Sequence, residues 1–208
     1  MGTGTLGCLV KLNRRGSGSG RLYILSNSHV IADYGGAKIG ARVIQPGYID
    51  EGQDPDDAIA ELTDFVPFQF TGTGYPNLVD AAIAKVRRRP SVTDKIRVIG
   101  ITPKVISTNV WRGMTVRKVG RTTDLTCGVV TDIHFHTSMT FKKPGGGTGR
   151  VGFKKQVLCT RYTADGDSGS IVLDDRNAVV GLHFAGSATS SIFNRISCVV
   201  EALKIKLA

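Results

Sequence analysis

Apolar positions along this chain fall into short runs separated by Gly, Asp and Ser, and few of them keep the 3.6-residue period of a helix. Residues 6–12 are apolar and β-friendly. Leu22-Tyr23-Ile24-Leu25 follows after the turn Arg15-Gly16-Ser17-Gly18-Ser19-Gly20, which predicts a hairpin ending at Ser26-Asn27-Ser28-His29. Residues 37–45 predict another short strand and residues 50–57 an acidic turn. Residues 58–70 have mixed periodicity, with a strand expected over 65–70. The segment Asp80-Ala81-Ala82-Ile83-Ala84-Lys85-Val86 suits helix or strand equally, and residues 88–104 read as a connection. Further strands are predicted over 115–119, 127–136, 156–162, 171–174 and 179–184, with a hairpin tip at 144–149. Residues 198–207 carry apolar positions at helical spacing (Val199, Ala202, Leu203) and predict a terminal helix. The pattern describes an all-β chain of two β-barrels, residues 1–105 and 106–208, ending in a helix.

Composition supports that picture and narrows the function classes. The 26 glycines suit tight turns between strands. The net charge of +10 raises nucleic acid as a partner, but the basic residues are spread out. The dense runs are Arg87-Arg88-Arg89, Lys142-Lys143 and Lys154-Lys155. None is interleaved with aromatics, so a solvated basic surface is expected and no specific nucleic acid. The four cysteines, Cys8, Cys127, Cys159 and Cys198, form no CxxC pair and sit among apolar neighbours, which favours small buried free thiols over zinc ligands. An even count leaves disulfides open. No apolar stretch is long enough to span a membrane, and the opening residues form no secretory signal.

Chemistry concentrates at three places. Gly166-Asp167-Ser168-Gly169-Ser170 places a serine on a glycine-flanked turn, where its hydroxyl is exposed and backbone N–H groups can meet an oxyanion. The same residue types also make an ordinary hairpin turn. A serine nucleophile needs a base. Of His29, His134, His136 and His183, only His29 closes an apolar strand, while His134 and His136 alternate on one strand face. An orienting carboxylate is expected at Asp80, at the edge of an apolar run. Its rival Asp57 precedes a similar run but lies in an acidic cluster with Asp54 and Asp56. The order His29, Asp80, Ser168 is the one tied to the double β-barrel.

These segments resemble the chymotrypsin-like (trypsin-like) serine peptidases, in particular their short bacterial branch. Ser26-Asn27-Ser28-His29-Val30, Val79-Asp80-Ala81-Ala82-Ile83-Ala84 and the Ser168 run are similar to that family's three active-site segments. Val119-Gly120-Arg121-Thr122-Thr123 with Thr126-Cys127-Gly128 is similar to the opening of the second barrel in streptogrisin-like enzymes. The resemblance implies two six-stranded antiparallel barrels and a serine endopeptidase working through an acyl-enzyme. His29 would be general base and then acid, Asp80 its orienting partner, Ser168 the nucleophile, and the N–H groups of Gly166 and Ser168 the oxyanion hole. It implies a protein or peptide substrate and no cofactor or metal. The chain departs from the family in lacking the cysteine beside the histidine, which favours a reducing, cytoplasmic setting. It also lacks an Ile-Val-Gly-Gly-like start, so activation by a new N-terminus is not expected and a domain within a larger chain or assembly is conceivable.

The resemblance also assigns a substrate pocket to Tyr162, His183, Phe184, Ala185 and Gly186, with an extended substrate pairing along the backbone of 184–186. Tyr162 stands where a trypsin-type pocket has a carboxylate, so cleavage after Lys or Arg is not expected. An imidazole can donate to a carboxylate or amide oxygen, and a similar histidine occurs in glutamate-specific bacterial and glutamine-cutting viral peptidases. A preference for Glu or Gln before the scissile bond follows. The opposing reading packs His183 in the second barrel with its nitrogens satisfied by Tyr162 or backbone. A catalytically silent protease-like domain used for protein binding is the alternative function.

Overall fold

The computed structural model describes residues 2–13, 20–87 and 92–208. Most of the turn at 15–20 and the start of the connection at 88–91 lie outside the described residues. The first half carries β1 (Cys8–Leu12), β2 (Tyr23–Ser26), a one-turn helix α1 (Ser28–Ile31), β3 (Arg42–Ile44), β4 (Ala58–Phe65) and β5 (Ala82–Val86). The second carries β6 (Thr115–Gly120), β7 (Asp124–Lys142), β8 (Thr148–Thr160), β9 (Ile171–Leu173), β10 (Val179–Gly186), β11 (Ser190–Arg195), α2 (Ile196–Leu203) and β12 (Ile205–Leu207). They build two six-stranded antiparallel sheets. The first has the order β12-β1-β2-β5-β4-β3. The second runs β10-β11-β8-β7-β6-β9 and closes on itself where β9 pairs with β10.

The segment that suits helix or strand is strand β5, and the reason lies in its two faces. Leu25 of β2 and Ile83 of β5 pack into a core shared with Leu182 and α2. Ile24, Ala82 and Ala84 point the other way, into a core with Val30 and Ile31 of α1. A strand buried on both faces reads as a continuous apolar run, without alternation.

Four expectations need correction. The strand expected over 65–70 is instead the end of β4. Beyond Phe65 the Asn77 amide takes the place of a strand partner, accepting from Gln69 N–H (2.8 Å) and donating to Gln69 O (3.0 Å). Of residues 37–45 only Arg42–Ile44 is strand, after a turn closed by Ala41 N–H donating to Lys38 O (2.9 Å). The strands predicted at 127–136 and 156–162 are parts of one long hairpin, β7–β8, whose tip closes with Lys143 N–H on Gly147 O (3.0 Å). The terminal helix begins at Ile196 and stops at Leu203. Lys204 then adopts a left-handed conformation, and Ile205-Lys206-Leu207 pairs with β1. Ile196, Val199 and Leu203 form the helix's buried stripe, whereas Ile205 is buried by a strand's alternation rather than a helical period. By chain position β12 belongs to the second half, and by pairing to the first.

Candidate active site

His29 enters the site on α1, one turn beyond the buried end of β2, and Asp80 enters two residues before β5. The Asp80 carboxylate is fully buried. Its Oδ1 accepts the His29 backbone N–H (3.2 Å), and its Oδ2 pairs with His29 Nδ1. That pairing fixes Nδ1 as the protonated nitrogen and leaves Nε2 as the free lone pair. Buried amides hold the Asp80 backbone from both halves of the fold. Asn27 Nδ2 donates to Asp80 O (2.7 Å), and Asp80 N–H donates to Asn194 Oδ1 (2.5 Å). Asn194 Nδ2 in turn donates to Gln156 Oε1 (3.1 Å), and Gln156 Nε2 donates to Leu78 O (2.8 Å). The rings of Tyr34 and Phe141 stand 5.8 and 6.0 Å from the His29 ring, so the hairpin β7–β8 reaches across to flank the imidazole. Asp57, the rival carboxylate, caps its own turn by accepting Gln53 N–H (2.8 Å).

The nucleophile turn is stitched to β10. Gly169 N–H donates to His183 O and His183 N–H to Ser170 O, both at 2.9 Å. Gly166 (φ +99°) and Gly169 (φ +97°) occupy the left-handed region. A Cβ on Gly166 would stand 2.3 Å from Thr122 Oγ1, and one on Gly169 2.1 Å from Thr5 O. The Ser168 hydroxyl donates to Phe184 O (3.4 Å) and makes no hydrogen bond to His29 among the described residues. Contacts of this kind are often loose before substrate binds. The N–H groups of Gly166 and Ser168 have no acceptor among the described residues.

Beneath the turn lies an ion pair that the strand pattern alone does not announce. Lys118 Nζ is 3.2 Å from Asp167 Oδ2, and both side chains are fully buried. Lys118 also donates to Asp124 O (3.0 Å) and to Thr123 Oγ1. Asp167 accepts from Thr122 N–H (2.9 Å), Thr123 N–H (3.1 Å), Thr123 Oγ1 (2.6 Å) and Ala164 N–H (3.0 Å). Burial pushes the Asp167 carboxyl up, but those hydrogen bonds and the Lys118 charge outweigh it and hold it below the ordinary carboxylate value. Burial likewise lowers Lys118 by more than Asp167 and Asp124 raise it. The clue available in sequence is the inward alternation Val116, Lys118, Gly120 along β6.

His183 and Tyr162 meet inside the second barrel with ring centroids 6.1 Å apart. His183 is 2 % exposed and Tyr162 5 %. Among the described residues His183 Nδ1 and the Tyr162 hydroxyl lack a hydrogen-bond partner, while the Ile192 backbone bonds the imidazole, so the opposing reading holds for the packing and the backbone contact but not for Nδ1. Burial is the main reason the His183 pKa falls to about 3, which makes the imidazole neutral at physiological pH. Phe184 is buried, Ala185 half-buried and Gly186 exposed. His134 and His136 lie on the exposed face of β7, and no group of three metal-ligating side chains forms among the described residues. All four cysteines are free. Cys159 is buried and Cys8 and Cys198 half-buried, but Cys127 is exposed on β7, contrary to its apolar-neighbour reading. No helix among the described residues is long and apolar enough to cross a membrane.

Comparison with known proteins bears on the family and the fold. The Trypsin family model matches residues 4–203. No curated protein sequence matches the chain. Among solved structures, Thermobifida fusca protease A is similar at a TM-score of 0.61 and 18% identity, covering 98% of this chain and 90% of its own. Cellulomonas bogoriensis chymotrypsin is similar at a TM-score of 0.60 and 16% identity, covering 100% and 97%. A glutamic acid-specific serine protease follows at 0.57 and 18%, covering 100% and 99%. With the double-barrel architecture and the family match over nearly its whole length, the chain belongs to the trypsin family and is a serine endopeptidase.

Proposed function

We propose that the chain hydrolyses peptide bonds through Ser168, His29 and Asp80 by way of an acyl-enzyme. The observation that carries this reading is the buried Asp80 carboxylate, which takes up both the backbone and ring N–H of His29 and leaves Nε2 available as a base. Nε2 removes the Ser168 proton as Oγ attacks the scissile carbonyl. The Gly166 and Ser168 N–H groups receive the oxyanion, and the protonated imidazole then gives its proton to the departing amine. Water, deprotonated by the same nitrogen, releases the acid product and restores Ser168. Asp80 stabilises the transient imidazolium without accepting its proton.

For primary specificity we propose Glu or Gln before the scissile bond. The support is a neutral His183 packed against Tyr162, with His183 Nδ1 and the Tyr162 hydroxyl left unpaired among the described residues, where a substrate side-chain oxygen would satisfy them. A structural neighbour is a glutamic acid-specific serine protease described as using a novel histidine triad in substrate binding. Here His183 is the single histidine of the proposed pocket. The free cysteines, one of them exposed, support the proposal of a reducing, cytoplasmic setting.

The test is labelling of folded protein with a fluorophosphonate, with the adduct mapped by mass spectrometry, followed by peptide-library profiling. Labelling at Ser168, lost on Ser168→Ala with a fall in kcat of about 10⁶-fold, is expected. An unlabelled Ser168 would refute the nucleophile. Efficient cleavage after Arg or Phe with none after Glu or Gln would refute the pocket assignment alone.

A further inference from the structure

Two consecutive peptide groups of the nucleophile turn are gripped from outside by threonine hydroxyls. Thr122 Oγ1 donates to Asp165 O (2.6 Å), and Thr5 Oγ1 donates to Gly166 O (2.9 Å). Neither peptide is cis. A trans peptide is planar, with its C=O and N–H pointing in opposite directions. Holding Asp165 O against Thr122 therefore aims the Gly166 N–H away from it, and that N–H is one of the two without an acceptor among the described residues. Holding Gly166 O against Thr5 aims the next N–H, of Asp167, at Ala164 O (3.0 Å).

A restraint matters here because Gly166 has no side chain to hold its backbone in place. With no Cβ and φ at +99°, its preceding peptide can rotate with little change in the chain path, and rotation would carry the oxyanion donor out of the cleft. The two hydroxyls are themselves anchored. Arg121 N–H donates to Thr5 Oγ1 (2.9 Å), Thr5 N–H donates to Ser168 O (2.7 Å), and Ser26 Oγ donates to Thr5 O (2.8 Å). Thr122 N–H donates to Asp167 Oδ1 (2.9 Å). Arg121 is clasped by Asp50 at 2.7 and 2.6 Å, which ties the segment to the first half of the fold.

We propose that Thr122 and Thr5 are positioning residues that hold the Asp165–Gly166 peptide in the orientation that donates to the oxyanion. The proposal rests on Ser168 as nucleophile and the Gly166 N–H as oxyanion donor. Thr122→Val keeps the side chain's shape and removes the donor, and Thr122→Ser returns it. The experiment measures kcat per fluorophosphonate-titrated site, KM, and affinity for a peptide aldehyde that forms a tetrahedral adduct on the serine.

For Thr122→Val the expected result is a fall of about tenfold in kcat per titrated site, with KM unchanged and aldehyde affinity falling by a similar factor. Recovery is expected in Thr122→Ser, and a smaller loss in the same direction in Thr5→Val. A variant with fewer titrated sites but a wild-type kcat per site would show only a folding role and overturn the proposal. If Thr122→Val yields no folded protein, Thr5→Val decides, and an unchanged kcat per site there overturns it. A wild-type enzyme that forms no adduct on Ser168 would overturn the nucleophile together with the clamp. A labelled wild type with unaffected valine variants overturns the clamp alone.

Discussion

Replacing Lys118 with methionine removes a charge and keeps most of the side chain's apolar bulk. Both members of the Lys118–Asp167 pair are fully buried, so removing one leaves a carboxylate in the interior without its counter-ion. Breaking a buried pair in this way costs about 3–5 kcal/mol. Asp167 keeps its donors from Thr122, Thr123 and Ala164, which places the expected loss near the lower end, at about 3 kcal/mol. For a chain of this size that lowers Tm by roughly 6–12 °C, measured by circular dichroism at neutral pH. The pH dependence supplies a second reading. Asp167 titrates below the ordinary carboxylate value, so it adds stability above its unfolded pKa and loses it as pH falls through the lower, folded one. Without Lys118 the folded pKa rises, so acid unfolding of the variant begins at higher pH than in the wild type. Adding Asp167→Asn removes the orphaned charge and recovers part of the loss, giving a coupling of about 1–3 kcal/mol in a double-mutant cycle. A Lys118→Met variant with wild-type Tm and acid limb, and no coupling to Asp167, would refute the claim that the pair is buried and mutually compensating.

Three further expectations follow from the same geometry. Gly166→Ala costs roughly 1–3 kcal/mol through its positive φ, plus the contact with Thr122 Oγ1, and chemical denaturation with a kcat assay reads both effects. His183, at about 3 when folded against 6.5 when unfolded, leaves the unfolded state binding the extra proton between those values. Stability should therefore fall with decreasing pH from about 6.5 toward 3, at ~1.4 kcal/mol per pH unit, and His183→Gln should flatten that limb of the urea-derived stability curve. A thiol-reactive maleimide should label exposed Cys127 first in native protein. Cys8 and Cys159, each pushed up to about 12 by burial, should react only on denaturation, as peptide mapping would show.

The strand-rich architecture was legible because its cues are local: turn residues between short apolar runs, and a serine between glycines. His29 and Asp80 are conspicuous for the same reason, one closing an apolar run and the other at the edge of one. Their environment was not legible. Asn194 lies on β11, whose Ser-Ser-Ile-Phe-Asn-Arg run shows no alternation because four consecutive positions are buried, and its partner Asp80 comes from the other half of the fold. Lys118 reads as one polar residue on an amphipathic strand until β6 places it over Asp167. The roles of Thr5 and Thr122 are not legible, since they depend on which carbonyl stands opposite, and the motif that contains Thr122 carries no sign of it. The helix at the end of the chain is legible only over residues 198–203. Ile205–Leu207 continues the apolar pattern of the helix, and three residues are too few to separate a period of two from one of 3.6.

That short strand also sets an order of events. Val10, Lys11 and Leu12 of β1 find their outer partners in Leu207, Lys206 and Ile205. During synthesis one edge of β1 stays uncovered until residues 205–207 have left the ribosome. The half that carries His29 and Asp80 thus gains its edge strand from residues translated after Ser168. Until that strand arrives, the nascent chain carries an open sheet edge able to pair with another chain, a hazard that ends only after the nucleophile segment has been made.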